Sequence, residues 1–155
     1  MPDDAATPTL RRATLEGYSW DDVEPRRYRE EPGALFEGVT RQVLFSDPRL
    51  RGELRYFEVS AGGYSSLERH AHMHAVLVLR GAGRCLVGEA VYAIGPHDLI
   101  TVPPWTWHQF RAAPDQKLGF LCLVDAERDK PAAPSAAERE ALMRLPAVRE
   151  FLAGR

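Results

Sequence analysis

The sequence predicts an all-β protein with a barrel or sandwich architecture. Eight or nine short segments rich in valine, leucine, isoleucine and aromatic residues follow one another between residues 39 and 125. Turn residues separate these segments, and the chain carries 12 glycines and 12 prolines. A length of 155 residues corresponds to one domain, and a 45% apolar fraction is enough for one hydrophobic core.

The first 38 residues are predicted to form an irregular arm. Prolines and charges are frequent there, yet the arm carries more large apolar side chains than a disordered tail usually holds. We therefore expect the arm to pack on the main body or on a partner subunit. The apolar side chains are Leu10, Leu15, Tyr18, Trp20, Tyr28, Leu35 and Phe36.

Residues 39–128 are predicted to form the β domain. Two of its segments, 75–79 and 120–124, are apolar at every position, which indicates burial on both faces of the sheet. Because one small barrel cannot cover all of this surface by itself, a homodimer is predicted, with covering by the arm as the alternative. The expected strands are 39–45, 53–60, 65–70, 74–79, 84–88, 90–94, 99–103, 108–112 and 118–125.

Residues 129–155 are predicted to form a linker followed by a short helical tail. Ser135 and Glu138 have the spacing of a capping box, in which each side chain satisfies a free backbone N–H at the start of a helix. Pro146 is expected to break or restart this helix.

Charge and hydropathy limit the partners and the compartment. The chain has 20 basic and 22 acidic side chains, so it offers no electrostatic attraction for nucleic acid or an anionic membrane. The apolar run from Ala75 to Leu79 is far shorter than the ~20 residues of a membrane helix, and the acidic N-terminus lacks a signal-peptide core. A cytoplasmic protein is predicted, with Cys85 and Cys122 as buried free thiols.

A group of histidines indicates a metal site. His70, His72 and His74 alternate along five residues just after Glu68, and side chains at this spacing share one face of a straight strand. His108 follows about three strands later. Neutral imidazole and carboxylate groups are ligands for divalent Fe, Mn, Ni, Zn and Cu, so a divalent transition metal is the predicted cofactor. The fifth histidine, His97, is assigned to a solvated turn.

The segment from Gly63 to Phe110 resembles a cupin domain. Its first motif is matched by Glu68-x-His70-x3-His74-x6-Gly81, with the glutamate and one histidine exchanged relative to the family pattern. In the second motif Pro103 and His108 match, with Gly95 upstream, whereas Trp105 and Ala112 replace the motif glycine and asparagine.

The resemblance implies a double-stranded β-helix, or jelly roll, with a metal held by Glu68, His70, His74 and His108. Two alternatives stay open. Glu68 is either a ligand or a catalytic base, and His72 replaces Glu68 or His74 as a ligand if the strand runs straight. Three imidazoles and one carboxylate leave positions on an octahedral ion open for a substrate.

The fold itself hosts many functions, so the functional prediction is broad. We expect a metal-dependent enzyme, dioxygenase-like, that acts on a small organic substrate. The alternatives are a metal-dependent isomerase or epimerase and a non-enzymatic domain that binds or senses a small molecule. Aromatic side chains either fill the barrel or line an apolar entrance, and three arginines are candidates for holding a substrate carboxylate. These residues are Trp105, Trp107, Tyr56, Tyr64 and Phe110, with Arg55, Arg80 and Arg111.

Overall fold

The computed structural model describes residues 10–14, 16–27 and 37–154, and the structural statements below concern these residues. They form eleven strands and two helices. In chain order these are β1 (Ala13–Thr14), β2 (Ser19–Trp20), β3 (Arg26–Arg27), β4 (Glu37–Ser46), β5 (Gly52–Tyr64), β6 (His74–Gly81), β7 (Gly83–Val87), β8 (Ala90–Ile94), β9 (Leu99–Val102), β10 (His108–Ala112), β11 (Leu118–Asp125), α1 (Ala136–Met143) and α2 (Pro146–Leu152).

A single curled antiparallel sheet makes up most of the protein, which confirms the predicted all-β, jelly-roll class. Its strand order is β8-β7-β10-β5-β11-β6-β9, and β4 continues the sheet beside β5. The long strand β5 pairs with β4 between residues 53 and 64 and with β11 over residues 52–59. Because the sheet curls, its concave face encloses an apolar core that includes Val59, Val78, Phe110 and Phe120.

The turn between β6 and β7 requires a glycine. Gly81 has a φ of 76°, in the left-handed region that favours this residue. A side chain at this position would also collide with the carbonyl oxygen of Lys117. The glycine that follows the histidine motif is therefore explained by backbone conformation and close strand packing.

The two strands with continuous apolar sequence are buried on one face only. On β6, His74, Val76 and Val78 are buried, whereas the alternate side chains are half-buried. On β11, Leu123 is 54% exposed. Within one chain, the outer faces of these strands are therefore only partly covered, and their covering by a second subunit stays a prediction.

Residues 65–70 do not form the predicted strand. They make only isolated bridges, from Glu68 to His108 and from Arg69 to Ala132. The Ser65 hydroxyl accepts a hydrogen bond from the Phe110 N–H, so a side chain takes the place of a backbone ladder partner. The segment runs beside β10 as an irregular connection that leads into the histidines.

The C-terminal tail folds as predicted. Ser135 caps α1, and its capping box with Glu138 is complete. Pro146 occupies the first turn of α2, where a backbone N–H has no acceptor within the helix, so the missing N–H of proline costs no hydrogen bond. Leu142, Val148 and Phe151 bury their side chains in a second apolar cluster against the barrel.

The described part of the arm lies against the outer side of β5. Tyr18 stacks on Tyr56 with ring centroids 6.0 Å apart, and Trp20 contacts the same ring at 5.0 Å. Four apolar side chains of the predicted arm, namely Leu15, Tyr28, Leu35 and Phe36, lie outside the described residues.

Cys85 and Cys122 are free and buried, as predicted. Among the residues that the structure describes, no helix is long and apolar enough to cross a lipid bilayer.

Candidate metal centre

Three buried histidines converge at one point inside the barrel. His74 is the first residue of β6 and His108 is the first residue of β10, while His70 lies in the connection before β6. Their exposed fractions are 9%, 4% and 3% respectively. One ring nitrogen from each lies within 4.8 Å of the others. The fold thus brings together residues that are up to 38 positions apart in the sequence.

Backbone carbonyls fix the orientation of two of the rings. The Nδ1–H of His70 donates to the carbonyl oxygen of His72 at 2.6 Å. The Nδ1–H of His108 donates to the carbonyl oxygen of Thr106 at 2.9 Å. Because a carbonyl only accepts, each Nδ1 carries the proton and each Nε2 keeps a lone pair.

Burial keeps these imidazoles neutral. Removal from water, together with the neighbouring rings of His108 and His70, lowers the pKa of His74 to about 2. Burial likewise lowers the pKa of His108 to about 4 and lowers the pKa of His70. Neutral imidazoles with free lone pairs are the form that binds metal ions.

The spacing of the nitrogens fits a shared divalent ion. The Nε2 atoms of His74 and His108 are 3.3 Å apart. Two nitrogens that bind one ion at about 2.1 Å are themselves about 3 Å apart at the angles of tetrahedral or octahedral coordination. The Nδ1 of His74 faces the Sγ of Cys122 at 3.3 Å, so its Nε2 is the atom directed at the other rings. We therefore take His70, His74 and His108 as the residues that would hold the metal.

Glu68 lies beside these three histidines. Its Oε1 is 4.0 Å from the Nε2 of His108, and the hydroxyl of Ser66 donates to its Oε2 at 2.7 Å. The paired backbones of Glu68 and His108 bring the two side chains to the same end of the barrel. The position suits both roles predicted for Glu68, namely fourth ligand and base.

His72, the alternative ligand, lies outside the group of three. Its ring stacks on His70 with centroids 3.6 Å apart, and its Nδ1–H donates to Asp129 at 2.7 Å. Asp129 also accepts the N–H groups of Ala71 and His72, at 2.8 and 3.1 Å. These hydrogen bonds, with that of the Ala71 N–H the strongest, lower the pKa of Asp129. A residue 57 positions away thus holds the loop that carries His70.

The structure corrects the predicted aromatic entrance. Of the five aromatic candidates, Phe110 alone lines the cavity beside the histidines, where it is joined by Phe57 and Phe120. Tyr56 and Tyr64 are not among the lining residues; the first packs under the arm and the second under Arg111. Trp105 is 59% exposed, and Trp107 packs against the C-terminal helices. His97 is exposed in its turn, as expected.

The cavity has a volume of about 320 Å³ and contains groups that sequence reasoning did not assign to it. Cys122, Arg41 and Arg128 line it and were not predicted to do so. Arg55 lines it too, and it was one of three arginines predicted as candidates for holding a substrate carboxylate. Strand parity is the signal that would have found the residues on β5 and β11. Arg55 alternates with the outward-facing Tyr56, and Cys122 pairs with Arg55 across the two strands.

Comparison with known proteins agrees with the fold and the site. A cupin domain family matches residues 55–124. The chain belongs to the cupin family, whose β-barrel here carries a three-histidine group suited to a divalent metal. It is 56% identical over 137 residues to 1-methylthio-D-xylulose 5-phosphate methylsulfurylase of Rhodospirillum rubrum, covering 88% of each protein.

Two solved structures share the architecture at high sequence identity. A cupin 2 conserved barrel domain protein of Rhodopseudomonas palustris is 49% identical, with a TM-score of 0.87, and the match covers 92% of this chain and 98% of that one. A cupin-2 domain protein of Rhodospirillum rubrum is 52% identical with a TM-score of 0.85, covering 96% and 98%.

Proposed function

We propose that this protein is a metal-dependent enzyme that acts on a ketose phosphate bearing a methylthio group. The observation that carries the proposal is the 56% identity to the methylsulfurylase across 88% of both chains. The buried three-histidine group and the adjoining cavity supply a place for such chemistry.

The substrate class and the residues are chemically compatible. In a 1-methylthio-2-ketose, the carbon that carries sulfur is bonded to the carbonyl carbon. A divalent ion held by His70, His74 and His108 would act as a Lewis acid toward the carbonyl. A polarised carbonyl would stabilise the electron pair left on the adjacent carbon when its bond to sulfur breaks, and a carboxylate can carry a proton to that carbon.

Glu68 is the residue we assign to this proton transfer. Its carboxylate takes the proton of the thiol acceptor, whose sulfur bonds to the methylthio sulfur as the bond from that sulfur to C1 breaks. The electron pair of the broken bond forms a C1–C2 double bond while the carbonyl π pair moves to oxygen, and Glu68 then gives the proton to C1, which yields a 1-deoxyketose phosphate and a mixed disulfide. Glu68 is close to the histidines, because its Oε1 lies 4.0 Å from the Nε2 of His108 while Ser66 donates to its Oε2 at 2.7 Å. Phe57, Phe110 and Phe120 give the cavity an apolar wall that accommodates a methylthio group.

The test uses the full chain purified without a polyhistidine tag. The protein is stripped with a chelator and restored with Mn, Fe, Ni, Zn or Cu in turn. Each form is then incubated with 1-methylthio-D-xylulose 5-phosphate, with and without a small thiol as acceptor. Phosphorus NMR and mass spectrometry follow the sugar and the sulfur product. We expect metal-dependent loss of the methylthio group, and an unchanged substrate with every metal would refute the proposal.

The dioxygenase prediction is tested in the same assay. A three-histidine group serves both redox and non-redox metals, so the site alone does not choose between them. If the reaction proceeds at the same rate without oxygen, dioxygenase chemistry is wrong for this substrate. Oxygen uptake in step with substrate loss would instead overturn the proposed oxygen-independent loss of the methylthio group.

A further inference from the structure

The cavity beside the histidines also carries positive charge. Arg41 on β4, Arg55 on β5 and Arg128 just after β11 all line it. The three arginines come from neighbouring strands in the sheet, since β5 pairs with both β4 and β11. The wall of the cavity therefore carries guanidinium groups as well as imidazoles and Glu68.

Arg55 is buried without a matching acceptor. It is 7% exposed, and its Nη2 donates to the Sγ of Cys122 at 3.4 Å. A thiol is a weak hydrogen-bond acceptor. The buried Nε of Arg55 has no hydrogen-bond partner; the Oε1 of Glu53 lies 3.7 Å away. Burial of an incompletely paired guanidinium is costly, so the position favours an anion that supplies the missing acceptors.

Glu53 does not balance this charge alone. The same Oε1 that faces Arg55 also lies 3.3 Å from the Nη2 of Arg128. One carboxylate is therefore shared between two guanidinium groups. Asp129, the acidic residue near this wall, is already bound to the 71–72 loop.

We propose that Arg55, together with Arg41 and Arg128, binds the phosphate of the substrate. This inference rests on the proposed function, because it assigns the phosphate end of a ketose phosphate. A guanidinium presents paired N–H donors that match phosphate oxygens. A phosphate at Arg55 supplies two or more charged acceptors where the protein provides a thiol and a distant carboxylate.

The two ends of the site lie close enough for one small molecule. Cys122 touches His74 on one side at 3.3 Å and Arg55 on the other at 3.4 Å. Because the same Sγ makes both contacts, the Nδ1 of His74 and the Nη2 of Arg55 cannot be further apart than these two distances added together. In a 2-ketopentose 5-phosphate, two carbons separate the carbonyl carbon from the carbon that bears the phosphate. Such a molecule reaches both ends, so Arg55 would fix the position of the carbonyl relative to the histidines.

The experiment measures binding by calorimetry on the full chain, both as purified and after chelator treatment. The probes are inorganic phosphate, D-xylulose 5-phosphate and unphosphorylated D-xylulose. Arg55→Lys retains the charge but loses the paired donors. Arg128→Gln is a second variant at a more accessible position. Arg144→Gln, at an exposed position just after α1 and not among the residues that line the cavity, is the matched control for loss of one arginine.

We expect wild-type protein to bind D-xylulose 5-phosphate at least about tenfold more tightly than D-xylulose. Arg55→Lys and Arg128→Gln should each remove about tenfold or more of that preference, in metal-loaded and metal-free protein alike, while Arg144→Gln leaves it unchanged. The folded state of each variant is checked by circular dichroism and by its melting temperature. If Arg55→Lys does not fold, Arg128→Gln decides the outcome.

Two results would overturn the assignment. The first is a folded Arg128→Gln or Arg55→Lys protein with wild-type affinity for both phosphate probes. The second is phosphate binding that disappears entirely with the metal. Failure of the proposed function looks different, because arginine-dependent phosphate binding would then remain while the methylthio ketose phosphate is not converted.

Discussion

Replacement of His108 by alanine tests the metal site most directly. The variant removes one of three converging imidazoles and the hydrogen bond from its Nδ1 to Thr106. Loss of that bond and of the buried ring should lower the free energy of unfolding of the metal-free protein by about 1–3 kcal/mol. The larger difference between wild type and variant is how much added metal raises the free energy of unfolding.

An ion at one hundred times its dissociation constant adds about 2.7 kcal/mol to the free energy of unfolding. Loss of even a supporting residue around a metal costs up to about a hundredfold in affinity, so loss of a ligand should cost at least this much. The same metal concentration then adds only about 0.4 kcal/mol to the free energy of unfolding of the variant. For a domain of this size, wild-type protein should melt about 5–10 °C higher with metal, and the variant about 1 °C higher.

The assay is differential scanning calorimetry of tag-free protein with and without metal, combined with elemental analysis after desalting. His97→Ala is the matched control, because that imidazole is exposed in a turn. We expect the control to bind one ion per chain with the wild-type shift. If His108→Ala retained the same stoichiometry and the same shift, the three-histidine site would be refuted.

The remaining predictions concern the supporting residues and the assembly. Asp129→Ala frees the 71–72 loop and should lower metal affinity about 10–100-fold in a competition titration against a chromogenic chelator; unchanged affinity would show that the loop needs no such anchor. Glu68→Gln should retain the metal while turnover falls about 10²–10⁴-fold, since an amide cannot accept the proton; loss of the metal instead would assign Glu68 as a ligand. We propose that the outer face around Leu123 is covered by a second copy of the chain, so light scattering should report a dimer for wild type and a monomer for Leu123→Arg, and a monomeric wild type would contradict this.

The strands could be predicted from the sequence because their signals are local. Alternation and turn residues located eight of the nine predicted segments, and the Ser135–Glu138 spacing located the start of α1. The strand predicted over residues 65–70 is wrong because this segment makes only isolated bridges, and the Ser65 hydroxyl in place of a backbone carbonyl accepts the Phe110 N–H of β10. The local sequence of this segment does not indicate that its hydrogen-bond partner is Phe110, which lies more than forty residues further along the chain.

The burial of the apolar strands was harder to predict. Continuous apolar sequence shows that both faces of a strand are hydrophobic, but it does not say what covers each face. The curl of the sheet places Val76 and Val78 inside. Leu123 remains on the outside, where only another molecule or another segment can cover it. What packs on the outer face of a strand depends on the folded chain and its partners, so the periodicity of side chains along that strand does not predict it.

The class of fold and the chemical types available to the site could be predicted, because both depend on local spacing and residue identity. Which of these residues meet depends on long-range packing. His70, His74 and His108 converge because the connection before β6 runs beside β10, and Asp129 holds that connection from 57 positions away. Arg55 faces the same cavity because β5 and β11 pair in the register that places it opposite Cys122. Such contacts depend on strand register and sheet curvature, which long-range packing sets and short-range sequence patterns do not.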